Sequence, residues 1–199
     1  MSEISVIAKQ PSPAADASRR PDRRPGQTIG KLLDAGREEL RNTAYADMTM
    51  RAVATRAGVS SASAYKYFPS KAALVAAIYL RLLRTVQIHT NVNDTTKTRV
   101  SATMRDMALV AADEPDLINA FTAAVMADDP AVGPLRQEIA SEVAKRISAA
   151  LGPGWSHAVK STLQLTFSGA LMTAHFLTYD QIAEGLEDAV HLILGASVA

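Results

Sequence analysis

The chain has 199 residues, 48% of them apolar and 5% aromatic, with a net charge of +1 at neutral pH, so a real core is available, while runs rich in Val, Ile, Thr and aromatics with period-two alternation are absent. It has no cysteine, which excludes a disulfide framework and thiolate metal sites. Its longest uninterrupted apolar run, Ala72 to Leu80, is too short to cross a bilayer, and its N-terminus has no apolar signal-peptide segment. A cytoplasmic protein without membrane contact is expected.

The small net charge hides an uneven distribution. From Arg19 to Lys71 there are eleven Lys or Arg against five Asp or Glu, and from Ala72 to Ala199 nine against thirteen. A basic front on an acidic back suits a polyanion-binding head on a body with another task.

Residues 1–26 carry Pro11, Pro13, Pro21 and Pro25 among small polar residues, ending in a run with Arg19, Arg20, Arg23 and Arg24. They read as a disordered basic arm able to lie along phosphates or enter a minor groove. A first helix is predicted over 28–42, where Ile29, Leu32, Leu33, Gly36 and Leu40 form one stripe. Thr49 is placed to cap a second helix over 50–57, and Gly58 to end it in a left-handed conformation. Ser60 caps a third helix reaching Tyr67. Phe68 precedes Pro69, which disfavours further helix, and Ser70 caps a long fourth helix to about His89.

Five more helical patterns follow over 96–112, 115–127, 131–151, 155–178 and 181–194. Asp113-Glu114-Pro115, Asp128-Asp129-Pro130 and Gly152-Pro153-Gly154 separate them. The expected fold is all-α with about nine helices. It comprises the arm 1–26, a three-helix head over 27–71 with a helix-turn-helix, and a larger helical body over 72–199.

The stretch 49–71 carries the chemistry. In a helix-turn-helix the second helix enters the major groove while the first crosses the backbone. On Ser61 to Tyr67, Ala64 and Phe68 are spaced to pack inward against Val53, Ala57 and Val59. Ser61 and Tyr65 share another face, flanked by Ala62 and Lys66. Small side chains allow close approach to base edges, hydroxyls exchange hydrogen bonds with bases or phosphates, and a Tyr ring can touch a thymine methyl. Lys66 and Lys71 are placed to neutralise phosphates, and Arg51 to reach a phosphate or a guanine edge.

These residues resemble the TetR family of transcriptional regulators. The helix LLDAGREEL at 32–40 opens the signature. Thr49, Arg51, Val53, Ala54, Ala57, Gly58, Val59 and Ser60 continue it, and Tyr65, Tyr67, Phe68, Ser70 and Lys71 close it. The resemblance implies that Ser61, Ala62, Ser63 and Lys66 approach bases. It implies that Tyr65, Tyr67 and Lys71 touch phosphates or groove, and that Thr49 and Arg51 anchor the second helix. Two positions depart from the family pattern: Ala44 stands at a turn that usually has glycine, and Ala64 replaces a larger aliphatic residue.

In the body, 155–178 is apolar over more than one face, with Ser168, Gly169, Ala170 and Ala174 small enough for close helix approach. The last helix carries the wide stripe Ile182, Leu186, Ala189, Val190 and Ile193. The two helices fill either a monomer core or a two-fold four-helix interface, and the resemblance implies the latter: a homodimer on a palindromic operator of double-stranded DNA. The resemblance also implies an effector pocket in the body. Candidate lining residues are Met104, Met107, Phe121, Met126, Phe167, Met172 and Phe176, with Thr122, Gln164 and His175 as orienting polar groups. Apolar walls with few charges favour a small hydrophobic effector.

The expected function is thus a ligand-responsive regulator, a repressor released by its effector. The alternative is a helical interaction module without sequence-specific DNA binding. No enzyme is expected, and no cofactor or metal. The four histidines lack metal-ligand spacing, and no nucleophile elbow, P-loop or dinucleotide fingerprint occurs.

Overall fold

Local capping groups set most helix boundaries in the head. The computed structural model describes residues 23–174 and 176–195, and among them there are nine α-helices and no strand. The first, α1 (Arg23–Asn42), starts earlier than its apolar stripe suggests. Pro25 lies in its first turn, where a fixed φ is compatible with helix and the missing N–H has no intrahelical role. Residues 23–26 of the expected arm are therefore helical; 1–22 lie outside the described residues.

Thr49 accepts a hydrogen bond from the Ala52 N–H at 3.1 Å and starts α2 (Met50–Ala57). Gly58 ends it at φ 66°, ψ 33°, its N–H donating to the Thr55 carbonyl while the Val59 N–H donates to that of Ala54. That pair of bonds is a Schellman closure, which needs the left-handed backbone glycine adopts at low cost. Ser60 caps α3 (Ser61–Tyr67) through the Ser63 N–H at 3.1 Å, and Ser70 caps α4 (Lys71–Thr85) through the Ala73 N–H at 3.0 Å.

The turn between α1 and α2 needs no glycine at Ala44. The N–H groups of Asp47 and Met48 both donate to the Ala44 carbonyl, and no described non-glycine residue has positive φ.

Helix α4 is the axle of the molecule. Nine of its residues from Ala72 to Leu83 are buried, and it packs on α1 in the head and on α6 and α7 in the body. At Gly36 an added Cβ would stand 2.9 Å from the side chains of Leu74 and Ile78, so the glycine sets how closely α1 and α4 approach. The helix stops at Thr85 rather than near His89. Val86 turns to extended backbone, and its carbonyl accepts a hydrogen bond from Arg146, sixty residues away.

The body continues with α5 (Thr96–Asp113), α6 (Pro115–Met126), a 3₁₀ turn (Pro130–Val132), α7 (Gly133–Leu151), α8 (His157–Thr173) and α9 (Tyr179–Gly195). The penultimate helix ends five residues before its expected limit. Thr178 belongs to the next one, its hydroxyl accepting from the Gln181 N–H while its own N–H donates to the Gln181 side chain. This is a capping box, present in the sequence as Thr-x-x-Gln. One continuous apolar core runs from Leu32 in α1 to Leu194 in α9.

Candidate nucleic-acid interface

The two faces of α3 separate as its sequence periodicity predicts. Ala64 is fully buried and Phe68 nearly so, above Val53, which is also fully buried, with Ala57 and Val59 packed at the margin. Ser61, Ala62, Tyr65 and Lys66 are exposed, and Tyr65 offers 51% of its surface. Ser63 is half-buried and accepts a hydrogen bond from the Ser60 hydroxyl at 3.0 Å. Tyr67 is half-buried against the core, with the Lys66 ammonium 5.7 Å from its ring centre. A seven-residue helix thus presents a small, polar, aromatic and cationic strip on a rigid support.

Helix α2 contributes Thr49 and Arg51, both exposed at its start. The Thr49 hydroxyl is engaged as a cap. Among the described residues the Arg51 guanidinium makes no ion pair, whereas the neighbouring Arg56 is held by Glu39 at 2.8 Å. One basic group is therefore available at this edge and the other is neutralised.

Lys71 is placed differently from the rest. Its ammonium donates to the carbonyls of Tyr45, Ala46 and Met48 at 2.8, 2.9 and 3.3 Å and lies 4.7 Å from the centre of the Tyr45 ring. All three of its donors are engaged in holding the α1–α2 turn against the start of α4. The sequence reading assigned it to phosphates. The geometry makes it a latch within the head.

A second polar site joins head to body and was not legible as one in the sequence. The Glu114 carboxylate, buried at the start of α6, accepts hydrogen bonds from Arg37 Nε at 3.0 Å and Arg41 Nη2 at 2.8 Å, both from α1. The bond from Arg37, with that from Arg41, holds this carboxyl below the usual carboxylate range against the opposing effect of burial. Sequence reading treated Glu114 only as part of a helix break. The available signal was Arg37 and Arg41, four apart on one face of α1. Beside the clasp, a cleft of about 450 Å³ opens between the end of α1 and α6, lined by Tyr45, Asp116 and Asn119 among others.

The candidate effector residues fall into three groups. Met104, Met107, Phe121 and Phe167 are together in the body core, each at most 2% exposed, with Met172 half-buried at its edge. Thr122 and Gln164 are half-buried with their donors on the carbonyls of Ile118 and Ala140. Met126 and Phe176 stand 76% and 72% exposed in the single chain, and His175 lies outside the described residues.

On the outer helices, Ile182, Leu186 and Val190 of α9 are buried in their own body and Ile193 packs at its margin, while Ala189 of the same stripe is half-buried. The solvent-facing apolar residues are others: Leu165 on α8 and Leu192 on α9, 73% and 75% exposed. Gly169 and Gly185 are also exposed on this helix pair.

Residues 32–78 match the model of the bacterial regulatory proteins of the tetR family. An uncharacterized HTH-type transcriptional regulator of Mycobacterium bovis is 42% identical over 193 residues, covering 95% of this chain and 90% of that protein. The fold resembles the crystal structure of a TetR transcriptional regulator from Rhodococcus sp. RHA1, with a TM-score of 0.75 and 18% identity over 87% of this chain and 98% of that one. It also resembles FadR of Thermus thermophilus, a TetR-family repressor solved in complex with lauroyl-CoA. There the TM-score is 0.61 and the identity 21%, over 86% of this chain and 95% of that one.

Proposed function

The chain belongs to the TetR family of bacterial regulatory proteins, and from that membership we propose that it is a repressor, acting in the cytoplasm as a homodimer on a palindromic operator. It is a transcriptional regulator with an N-terminal DNA-binding domain. In this reading the arm 1–26 and the head 27–71 serve the DNA, and the body 72–199 serves dimerisation and a small hydrophobic effector that releases the operator.

The observation that carries the reading is the outward strip of α3. Ser61, Ala62, Tyr65 and Lys66 are exposed on a helix whose other side is fixed by Ala64 and Phe68. Side chains projecting from a locked support can read base edges, while Lys66, Arg51 and the hydroxyls of Ser63 and Tyr67 set register on the backbone. Thr49 anchors the start of α2 beside them, and Lys71 acts from behind through the turn it holds.

Dimerisation is supported by Leu165 and Leu192, large apolar residues facing water on one helix pair beside exposed glycines. Two copies related by a two-fold axis present two α3 helices to half-sites about one DNA turn apart.

An apolar effector is supported by the composition of the body core. The acyl-CoA carried by the Thermus relative makes a long acyl chain one candidate class. Met104, Met107, Phe121, Phe167 and Met172 would yield to it, with Thr122, Gln164 and His175 orienting it and Met126 and Phe176 closing its rim. Release requires that the effector favour a body in which α4 and α6 carry the heads to a spacing that misfits the operator.

The test is fluorescence anisotropy with DNA from upstream of the protein's own gene, at several salt concentrations. Two chains should bind per site. The double variant Tyr65→Ala with Lys66→Ala should lose about tenfold or more in affinity at fixed salt, with unchanged thermal stability. Undiminished affinity of the double variant would remove α3 from the interface.

A further inference from the structure

Two buried side-chain atoms have no hydrogen-bond partner among the described residues: the Tyr79 hydroxyl on α4 and the Ser101 hydroxyl on α5. They are not equivalent. A helical serine can turn its hydroxyl towards a carbonyl of its own preceding turn. A tyrosine hydroxyl stands at the far end of a rigid ring and has no such local remedy. Tyr79 is 1% exposed, among the largest fully buried side chains, and its ring stacks on Phe121 with centres 4.1 Å apart and planes at 27°.

Phenylalanine would fill this space with the same ring and without an orphaned polar atom, so the hydroxyl is a liability to the core as it stands. Burial also pushes its pKa well up, which keeps the group a neutral O–H donor. Its surroundings are deformable. Phe121 on α6 and Met104 and Met107 on α5 belong to the same core, and methionine repacks readily around an inserted group. The buried charges of the body are already matched: Glu142 accepts from Arg146 at 2.9 Å, and Glu114 is held by Arg37 and Arg41. Among the described residues, a ligand bringing a net charge into this interior would meet no unengaged buried counter-charge, whereas one bringing a neutral oxygen would complete Tyr79.

We propose that the Tyr79 hydroxyl is the polar anchor of the effector, donating to the oxygen of a neutral, ring-bearing apolar molecule that lodges beside the Tyr79–Phe121 stack. This rests on the reading of the body as an effector compartment. It specifies that reading further: the inward end of the ligand is an uncharged carbonyl or hydroxyl compound, and the anchor comes from α4. Because α4 also packs on α1, a ligand oxygen bound to Tyr79 acts directly on the helix that supports the head.

The experiment uses the full-length chain and its Tyr79→Phe variant. Without any ligand, Tyr79→Phe should melt at the wild-type temperature or slightly above it, since it removes only an unpaired group. A fall of more than about 4 °C would mean that the hydroxyl is satisfied in the free protein, for instance by a buried water, and would overturn the anchor.

The ligand arm titrates tetralin, 1-tetralone and 1-naphthol by calorimetry. Wild type should bind 1-tetralone about tenfold more tightly than tetralin, the same skeleton without the carbonyl. In Tyr79→Phe that ratio should fall to about one while tetralin affinity is unchanged. A ratio that survives the substitution refutes the role of Tyr79 and leaves the compartment standing. If no probe binds the wild type, the underlying reading of the body fails for this class of molecule, and the anchor falls with it.

Discussion

On α3 most of the side chains offered to a partner stand in water, while in the body Met104, Met107, Phe121 and Phe167, four of the candidates for ligand contact, are the core itself. Tyr65 is 51% exposed above a buried Ala64; Phe121 and Met104 are closed in and hold α6 and α5 to their neighbours. The first arrangement separates function from stability, because an exposed residue can be exchanged without opening a cavity. The second merges them, because a ligand must displace the atoms that stabilise the free fold. The head can therefore vary its target freely, and the body can respond only by repacking.

The sharpest way to break this comparison is to remove a body residue that no ligand is asked to touch. Arg146 is 3% exposed and ties Glu142 and the Val86 carbonyl together at the point where α4 ends. Arg146→Ala leaves a buried carboxylate without its main partner, a change that costs about 3–5 kcal/mol. Urea denaturation should show that loss. A cost under about 1 kcal/mol would mean that the body tolerates disruption as the α3 surface does, and the contrast would collapse.

How much of each region was legible in the sequence follows the same division. In the head, Thr49, Gly58, Ser60 and Ser70 act within three or four residues of their own position, so their roles are local and the helix ends were readable. The inward and outward faces of α3 followed from periodicity alone. In the body the Val86 carbonyl at the end of α4 is met by Arg146, sixty residues away, and the surface left open on α8 and α9 depends on which stripe the core claims. Such long-range choices leave no local trace. Lys71 shows the same limit: its place beside a recognition helix was readable, while the three carbonyls that its ammonium meets are brought to it only by the fold. The capping box at Thr178 and Gln181 is present in the sequence but is obscured there by the apolar run that continues into it.

The clasp between the two regions provides a smaller test. Arg37 and Arg41 depress the Glu114 carboxyl below its ordinary value of 4.5. A carboxyl lowered in the folded state adds stability that is fully present above that value and is lost as pH falls through the lowered one. With the two arginine side chains 34% and 48% exposed, its worth is discounted to about 1–2 kcal/mol. The stability gap between wild type and Glu114→Gln should be full at pH 7 and should close on acidification below about pH 4.5. A gap of equal size at pH 3 would show that the clasp works by shape rather than charge.

The finest distinction lies between two lysines five residues apart. Lys66 is exposed on the strip with its ammonium free of carbonyls, while Lys71 is half-buried with its ammonium on three of them. Lys66→Ala should leave thermal stability unchanged and reduce the slope of log affinity against log salt by about 0.9, the release expected for one phosphate contact. Lys71→Ala should do the reverse, costing about 1–2 kcal/mol of stability by freeing the α1–α2 turn and leaving the salt slope intact. If both variants lower the slope equally, Lys71 leaves its carbonyls when DNA arrives, and the turn at Ala44–Met48 is then a moving part of the interface. If only Lys66 does, the head meets DNA as a rigid body, and whatever the effector changes must be carried by α4 and the clasp rather than by the head's own loops.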